Sequence, residues 1–258
     1  MRMELSRILI LLGAGALAGA MNSIAGGGTI VTFPSLILSG LSSIVANATS
    51  TIALLPGTIS SVFGYRRNIP AVRRWLRLFT PVSLVGGLIG GILLVQTPSS
   101  VFDGLVPFLI LFATVLFMAN TTVARFFRPG AAEPSRRWLA GATLFQFCVA
   151  LYGGYFGAGI GILMLASLGM LGFNDVHEMN TVKTILGFLI NIVAAIYFVL
   201  SGIINWGSAG IMAIGTIAGG FSGAHFAQKV EQRKVRWVIT GIGLVLSAIM
   251  FYRTTNTP

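Results

Sequence analysis

The chain has 258 residues, of which 55% are hydrophobic and only 9% charged, with a mean hydropathy of +0.89. No soluble domain of this length hides so much apolar surface, so the composition excludes an ordinary water-soluble fold and points to a bilayer. The net charge of +11 comes from 17 Lys and Arg against 6 acidic residues, and a single cysteine, Cys148, excludes an internal disulfide or a Cys-rich metal site.

Apolar runs lie near 7–24, 29–40, 46–65, 77–96, 102–124, 138–154, 160–172, 178–201, 206–226 and 235–252. A spanning helix takes about 20 such residues, so the runs near 29–40 and 160–172 are short and suggest half-helices, tilted spans or re-entrant pieces. Arg2 and Arg7 before an apolar run resemble a signal peptide. An equivalent run at 138–154 in mid-chain argues instead for a retained span. The basic residues gather in three joints: Arg66, Arg67, Arg73, Arg74 and Arg77; Arg125, Arg128, Arg136 and Arg137; Lys229, Arg233, Lys234 and Arg236. The joints near 97–101 and 202–205 hold no Lys or Arg. The positive-inside rule makes the basic joints cytoplasmic and both termini external, with only Arg2 and Arg7 dissenting. Charge confined to such joints reports topology and contact with anionic lipid; nucleic acid is excluded as a partner.

Shifting the chain by 132 residues without a gap superposes Gly27 on Gly159, Ile30 on Ile162, Ser35 and Leu36 on Ser167 and Leu168, and Gly40 on Gly172. Thr49 then meets Thr181, Leu54 meets Leu186, Tyr65 meets Tyr197, and Gly87 and Gly91 meet Gly219 and Gly223. This divides the chain into a first transmembrane repeat at 1–127, a basic cytoplasmic linker at 128–137 and a second repeat at 138–258. The number of elements per repeat is odd, so the halves are expected to be inverted. The expected fold is an all-α, polytopic membrane bundle of two inverted-topology repeats with Gly-rich broken or re-entrant helices, a plan that recurs among secondary transporters.

Two Gly-rich runs, Ala25-Gly26-Gly27-Gly28-Thr29 and Gly157-Ala158-Gly159-Ile160-Gly161, each join two apolar segments and end where a helix can begin. If they break helices inside the membrane, their amides and the positive dipole end form an anion site without a charged side chain. The alternative is tight packing or an interfacial turn; recurrence at one repeat position favours the site. The following elements open with Asn47, Ala48, Thr49, Ser50 and Thr51, and with Asn180, Thr181, Val182, Lys183 and Thr184. Such side chains cap helices or line a polar path. Lys183 is a lone cation inside an apolar segment, opposite neutral Thr51 in the repeat frame. It either serves substrate or coupling, or snorkels to the interface. Asn191, deeper in the same segment, needs a polar partner, and Ser60 and Ser61 occupy a similar level in the first half. The anion-binding candidates are therefore Gly26, Gly27, Gly28, Thr29, Asn47, Thr49, Ser50, Gly157, Gly159, Gly161, Asn180, Thr181, Lys183 and Asn191.

These residues resemble the sulfite exporter TauE/SafE family of membrane permeases over nearly the whole chain. The likeness rests on Ala18-Gly19, Ala25 to Gly28, Pro34-Ser35-Leu36, Gly40, Ala46 to Ser50 and Gly64-Tyr65-Arg66. In the second half it rests on Gly157 to Gly161, Asn180-Thr181, Lys183 and Asn191. The resemblance implies a multi-pass permease of a bacterial or archaeal inner membrane that moves sulfite, organosulfonates or related anions without an ATPase domain. Ala166 where the first half has Pro34, and Ile160 inside the second Gly run, depart from the pattern and unbalance the two half-sites. The expected partners are a small anionic substrate, a coupling proton, membrane lipids and a second copy of the chain as a homodimer. The proton would travel on the substrate or titrate Lys183, because Glu4 and Asp103 fall near the outer surface. No cofactor is expected. An enzyme would need a nucleophile, a metal set or paired acids. The two histidines do not supply one: His177 sits with Asp175 and Glu178 at a segment joint that reads as a cap, and His225 at a basic edge. A passive anion channel remains the alternative to a carrier.

Overall fold

In the computed structural model the described residues are 5–24, 27–126, 136–171, 173, 175–226, 240–241, 243–245, 247–249 and 251–252. Nine helices are delimited among them, and no strand: α1 Leu5–Ile24, α2 Thr29–Leu38, α3 Ser43–Tyr65, α4 Ile69–Gln96, α5 Ser99–Phe126, α6 Arg136–Tyr155, α7 Ile160–Met170, α8 Val176–Leu200 and α9 Trp206–Phe226, with a 3-10 turn at Arg66–Asn68 between α3 and α4. By length and hydropathy, four stretches are able to cross a membrane: Leu5–Asn22, Ser43–Gln96, Ser99–Leu116 and His177–Leu200. Large apolar side chains such as Leu5, Phe63, Phe108, Leu144, Leu200 and Ile214 stand more than half exposed, which in water would be prohibitive and in lipid is the solvated state. The chain is a multi-pass, all-helical membrane protein.

The stretch 43–96 is not one rod. Asn47 donates from Nδ2 to the Tyr155 carbonyl at 2.9 Å, and a methyl added at Gly90 would stand 2.8 Å from Tyr155 N. Asn47 and Gly90 thus meet one residue, which a straight helix rising about 1.5 Å per residue forbids. The chain reverses at the 3-10 turn, and α4 runs back beside α3.

Close approaches fix the remaining directions. Gly86 faces Phe147 and Ala150 while Gly90 faces Leu151, Gly154 and Tyr155, so α4 and α6 run parallel. Gly87 lies 3.1 Å from Ile190 Cα and Gly91 3.3 Å from Ala194 Cα, each measured from an ideal methyl, so α8 runs with them. On the other side Gly15 meets Met212 and Gly215, and Gly19 meets Thr216 and Gly220, so α1 and α9 are parallel. Asn205 N donates to Thr49 Oγ1 at 3.1 Å and Thr216 Oγ1 to the Ala53 carbonyl at 2.8 Å, so α9 advances with α3. Helices α1, α3 and α9 therefore point one way and α4, α6 and α8 the other. At these crossings a Cβ would collide with backbone: at Gly219 with Ala16, and at Gly90 with the Leu151 carbonyl. Small residues let helices touch where no hydrophobic drive holds them together in lipid.

The two short helices do not span. Helix α2 has 10 residues and α7 has 11, about 15–17 Å each at 1.5 Å per residue. Gly28 packs on Ala18 and Asn22 near the end of α1, and Gly40 returns to within 3.9 Å of Arg7 at its start. Helix α2 is a half-length return along α1. The end of the bundle where α3 stops and α4 and α6 begin carries Arg66, Arg67, Arg73, Arg74, Arg77, Arg136 and Arg137. Thr97, Pro98 and 201–205 lie at the other. Lys229, Arg233, Lys234 and Arg236, the linker 128–135 and Gly172 lie outside the described residues. The helical residues between 240 and 252 meet α5, where Ser247 Oγ donates to the Pro107 carbonyl at 3.1 Å.

Two outcomes follow from this packing. Gly90→Ala and Gly219→Ala should each destabilise by about 1–3 kcal/mol through overpacking, whereas Gly187→Ala, with nothing within 4 Å of the new methyl, should be silent; thermal unfolding in detergent compares them. In a chain with Cys148 replaced, cysteines at 40–42 and at 173–175 should react with impermeant thiol reagents from opposite faces of the membrane.

Candidate site at the two helix breaks

Each Gly-rich run interrupts a helix, and the physical problem is the same at both: backbone polar groups left without helical partners inside an apolar body. Gly27 adopts φ +90°, and Gly157 and Gly159 adopt φ +82° and +79°, a left-handed region that a Cβ disfavours. Because α1 and α6 end pointing in opposite directions, the two breaks face opposite ends of the bundle.

At the first break the Gly28 amide and the Gly27 and Gly28 carbonyls are answered locally. Asn22 Oδ1 accepts from Gly28 N at 2.9 Å, the Gly28 carbonyl accepts from Val31 N and Thr32 N at 3.0 and 3.1 Å, and the Gly27 carbonyl accepts from Ile30 N at 3.0 Å. Thr32 Oγ1 also bonds Ser50 Oγ at 2.6 Å, tying α2 to α3. Thr29 opens α2, half-buried; Gly26 lies outside the described residues. Asn22 and Thr32 were missed in the sequence, although Asn22 is an amide at the end of an apolar helix and such a group needs a partner.

The second break is more open. The Tyr152 carbonyl takes Phe156 N and Gly157 N at 2.8 and 3.2 Å, and Tyr152 Oη donates to the Ala158 carbonyl at 2.8 Å. Tyr152, also missed in the sequence, thus clamps the break with both its backbone and its ring. Yet the N–H groups of Ala158, Gly159, Ile160 and Gly161 bond no described residue, although Ala158, Gly159 and Ile160 are buried. Buried N–H groups without partners are rare in native proteins. Lys183 from α8 lies across this first turn of α7: a methyl at Gly161 would stand 3.3 Å from its Cδ. The partly buried Lys183 donates from Nζ to Asn180 Oδ1 at 2.9 Å, toward the start of its own helix.

Asn47 and Asn191 approach the same break from the third helices of the two halves. A methyl at Gly157 would stand 3.8 Å from Asn191 Oδ1. Asn47, 1% exposed, holds the Tyr155 carbonyl with its amide nitrogen, which fixes the orientation of the group, since the flipped form would set two oxygens face to face. Its Oδ1 is then the one buried side-chain polar atom without a partner among the described residues. Leaving such an acceptor unmet costs about 1–3 kcal/mol.

Other candidates have structural duties. Thr49 accepts from Asn205 N, Thr181 Oγ1 donates to the His177 carbonyl at 2.6 Å, and Ser50 pairs with Thr32. Asp175 caps α8, accepting from His177 N at 2.7 Å. Sequence reasoning grouped fourteen candidates as one set. The geometry gathers Gly157, Gly159, Gly161, Asn180, Lys183, Asn191 and, from the other half, Asn47 around α7, and leaves Gly27, Gly28, Thr29 and Ser50 at the first break. Among the described residues no group of three or more His, Cys, Asp or Glu side chains is placed to hold a metal.

Comparison with known proteins agrees with a membrane transporter. The chain is 26% identical over 250 residues to a "Probable membrane transporter protein" of Haemophilus influenzae, covering 95% of this chain and 94% of the relative. It is 28% identical over 240 residues to "Probable membrane transporter protein YfcA" of Escherichia coli K12, covering 92% and 86%, and 26% identical over 268 residues to "Probable membrane transporter protein YunE" of Bacillus subtilis, covering 95% and 97%. No solved structure matches significantly. The family model described as "Sulfite exporter TauE/SafE" matches residues 11–250, and with nearly the whole chain so covered, this protein belongs to the TauE/SafE family of membrane transporters.

Proposed function

We propose that the protein is a secondary transporter of the inner membrane that moves small sulfur-containing anions such as sulfite or organosulfonates by alternating access. The observation that carries this reading is the start of α7. Four amides there bond no described residue, the positive end of the helix dipole adds to them, and Lys183 lies over Gly161. An anion at this point would satisfy donors that the described residues leave open and would meet a cation with no buried carboxylate among the described residues to compete. Asp103 and Asp175 are exposed and Glu178 is half-buried.

The alternating mechanism rests on an inverted pair of repeats. What supports it is the exchange of helices: α1 packs parallel to α9 and α4 parallel to α6, so the first helix of each half pairs with the fourth of the other. Rocking one half against the other would open the break at α7 to either side in turn. The first break, with its amide already taken by Asn22, would then serve mainly as a hinge.

Flux of labelled sulfite, sulfoacetate and taurine in proteoliposomes tests the reading. Saturable flux reduced at least tenfold in Lys183→Ala, with the variant still monodisperse, is the expected result. Non-saturating flux would make the protein an anion channel, and no flux of any of the three would remove the sulfur-anion assignment.

A further inference from the structure

The same break that offers amides at the start of α7 offers oxygens at the end of α6. Asn47 Oδ1 has no partner. Asn191 Oδ1 reaches the Gly157 position, and the carbonyls of Gly153 and Gly154, the last turn of α6, accept from no described residue. The carbonyl end of a helix is the negative end of its dipole. Two asparagines, one from each half, therefore lie beside the helix C-terminus at 153–157, just ahead of the amide-lined start of α7.

We propose that this run binds a dehydrated sodium ion, which couples anion movement to the sodium gradient. The proposal rests on the carrier reading of the adjacent α7 site. Three features select the ligand. The set is all oxygen and all neutral, which suits a hard monovalent cation; calcium and magnesium draw on carboxylates, and among the described residues no group of three or more His, Cys, Asp or Glu gathers to hold one. Asn47 Oδ1 is shut off from solvent, so an ion that it holds would sit without its hydration shell. Finally, the described acids are exposed or half-buried, so no described carboxylate inside the bundle competes with these oxygens for a cation. The ion's charge would be balanced by the anion on the far side of the break, so each ligand strengthens the other's binding by the same factor. Asn47 comes from the first half and Asn191 from the second, so rocking the halves would make and break the coordination.

The test is equilibrium binding of radioactive sodium to the purified, substrate-free protein at constant ionic strength, followed by anion flux with sodium replaced by potassium or choline at symmetrical pH. Saturable binding displaced by unlabelled sodium but not by potassium or choline is expected. Asn47→Ala and, separately, Asn191→Ala should raise half-saturation at least tenfold, while Gly187→Ala leaves it unchanged. The wild-type ion comparison requires no variant, and Asn191→Ala stands in if Asn47→Ala fails to fold. No saturable sodium binding, equal displacement by potassium, or half-saturation unmoved in both asparagine variants would overturn the proposal. Sodium binding without flux of any sulfur anion would sink the anion assignment and leave the ion site standing. Anion flux indifferent to sodium would do the reverse.

Discussion

The structure depends on a rule that water normally relaxes: inside hydrocarbon, every backbone N–H and C=O needs a partner within the protein. An unbroken helix obeys it automatically. This chain breaks its first and sixth helices, and the surrounding architecture answers the exposed groups. Asn22 takes the Gly28 amide, Tyr152 holds three groups of the second break, and Asn47 reaches across from the other half to the Tyr155 carbonyl. At the second break the exceptions lie on both sides, with open amides from Ala158 onward and open carbonyls at Gly153 and Gly154.

Glycine makes the arrangement possible in two unrelated ways. At Gly27, Gly157 and Gly159 it allows the left-handed turn that ends one helix and starts the next. At Gly86, Gly90, Gly15 and Gly219 the backbone is ordinary helix, and the missing Cβ lets a neighbouring main chain approach. Gly154, where an added methyl would collide with the Gly87 main chain, joins the α4–α6 crossing to the break a residue later. Packing and site are therefore mechanically linked: α6 cannot slide along α4 without moving Tyr155 and the peptide that Asn47 holds.

The halves are unequal in chemistry although similar in layout. Ser83 accepts from Gln146 Nε2 at 2.9 Å in the α4–α6 crossing, while the positions 132 residues away are Gly215 and Ala14 in the α1–α9 crossing. One crossing carries a buried polar bond and the other only close small-residue packing. Likewise Lys183 stands where the first half has Thr51, which bonds the Asn47 carbonyl at 3.0 Å. In this frame the two breaks differ: Asn22 takes the Gly28 amide at one, and no described residue takes the corresponding Ile160 amide at the other.

Much of this was legible in the sequence because its causes are local. Run length and hydropathy determine which segments can cross; glycine clusters mark where a helix must stop; and arginine clusters mark one end of the bundle. Lys183, Asn191 and the Gly157–Gly161 run stood out as polar or conformational anomalies in apolar surroundings. Partners did not, because they depend on contacts far apart in the chain. Nothing local says that Asn47 would cross 108 residues to Tyr155, that Thr49 would bond the start of α9, or that Asn22 and Tyr152 would hold the breaks. Helix existence follows from short-range periodicity and solvent, whereas the choice of which donor meets which acceptor is made only when the helices pack.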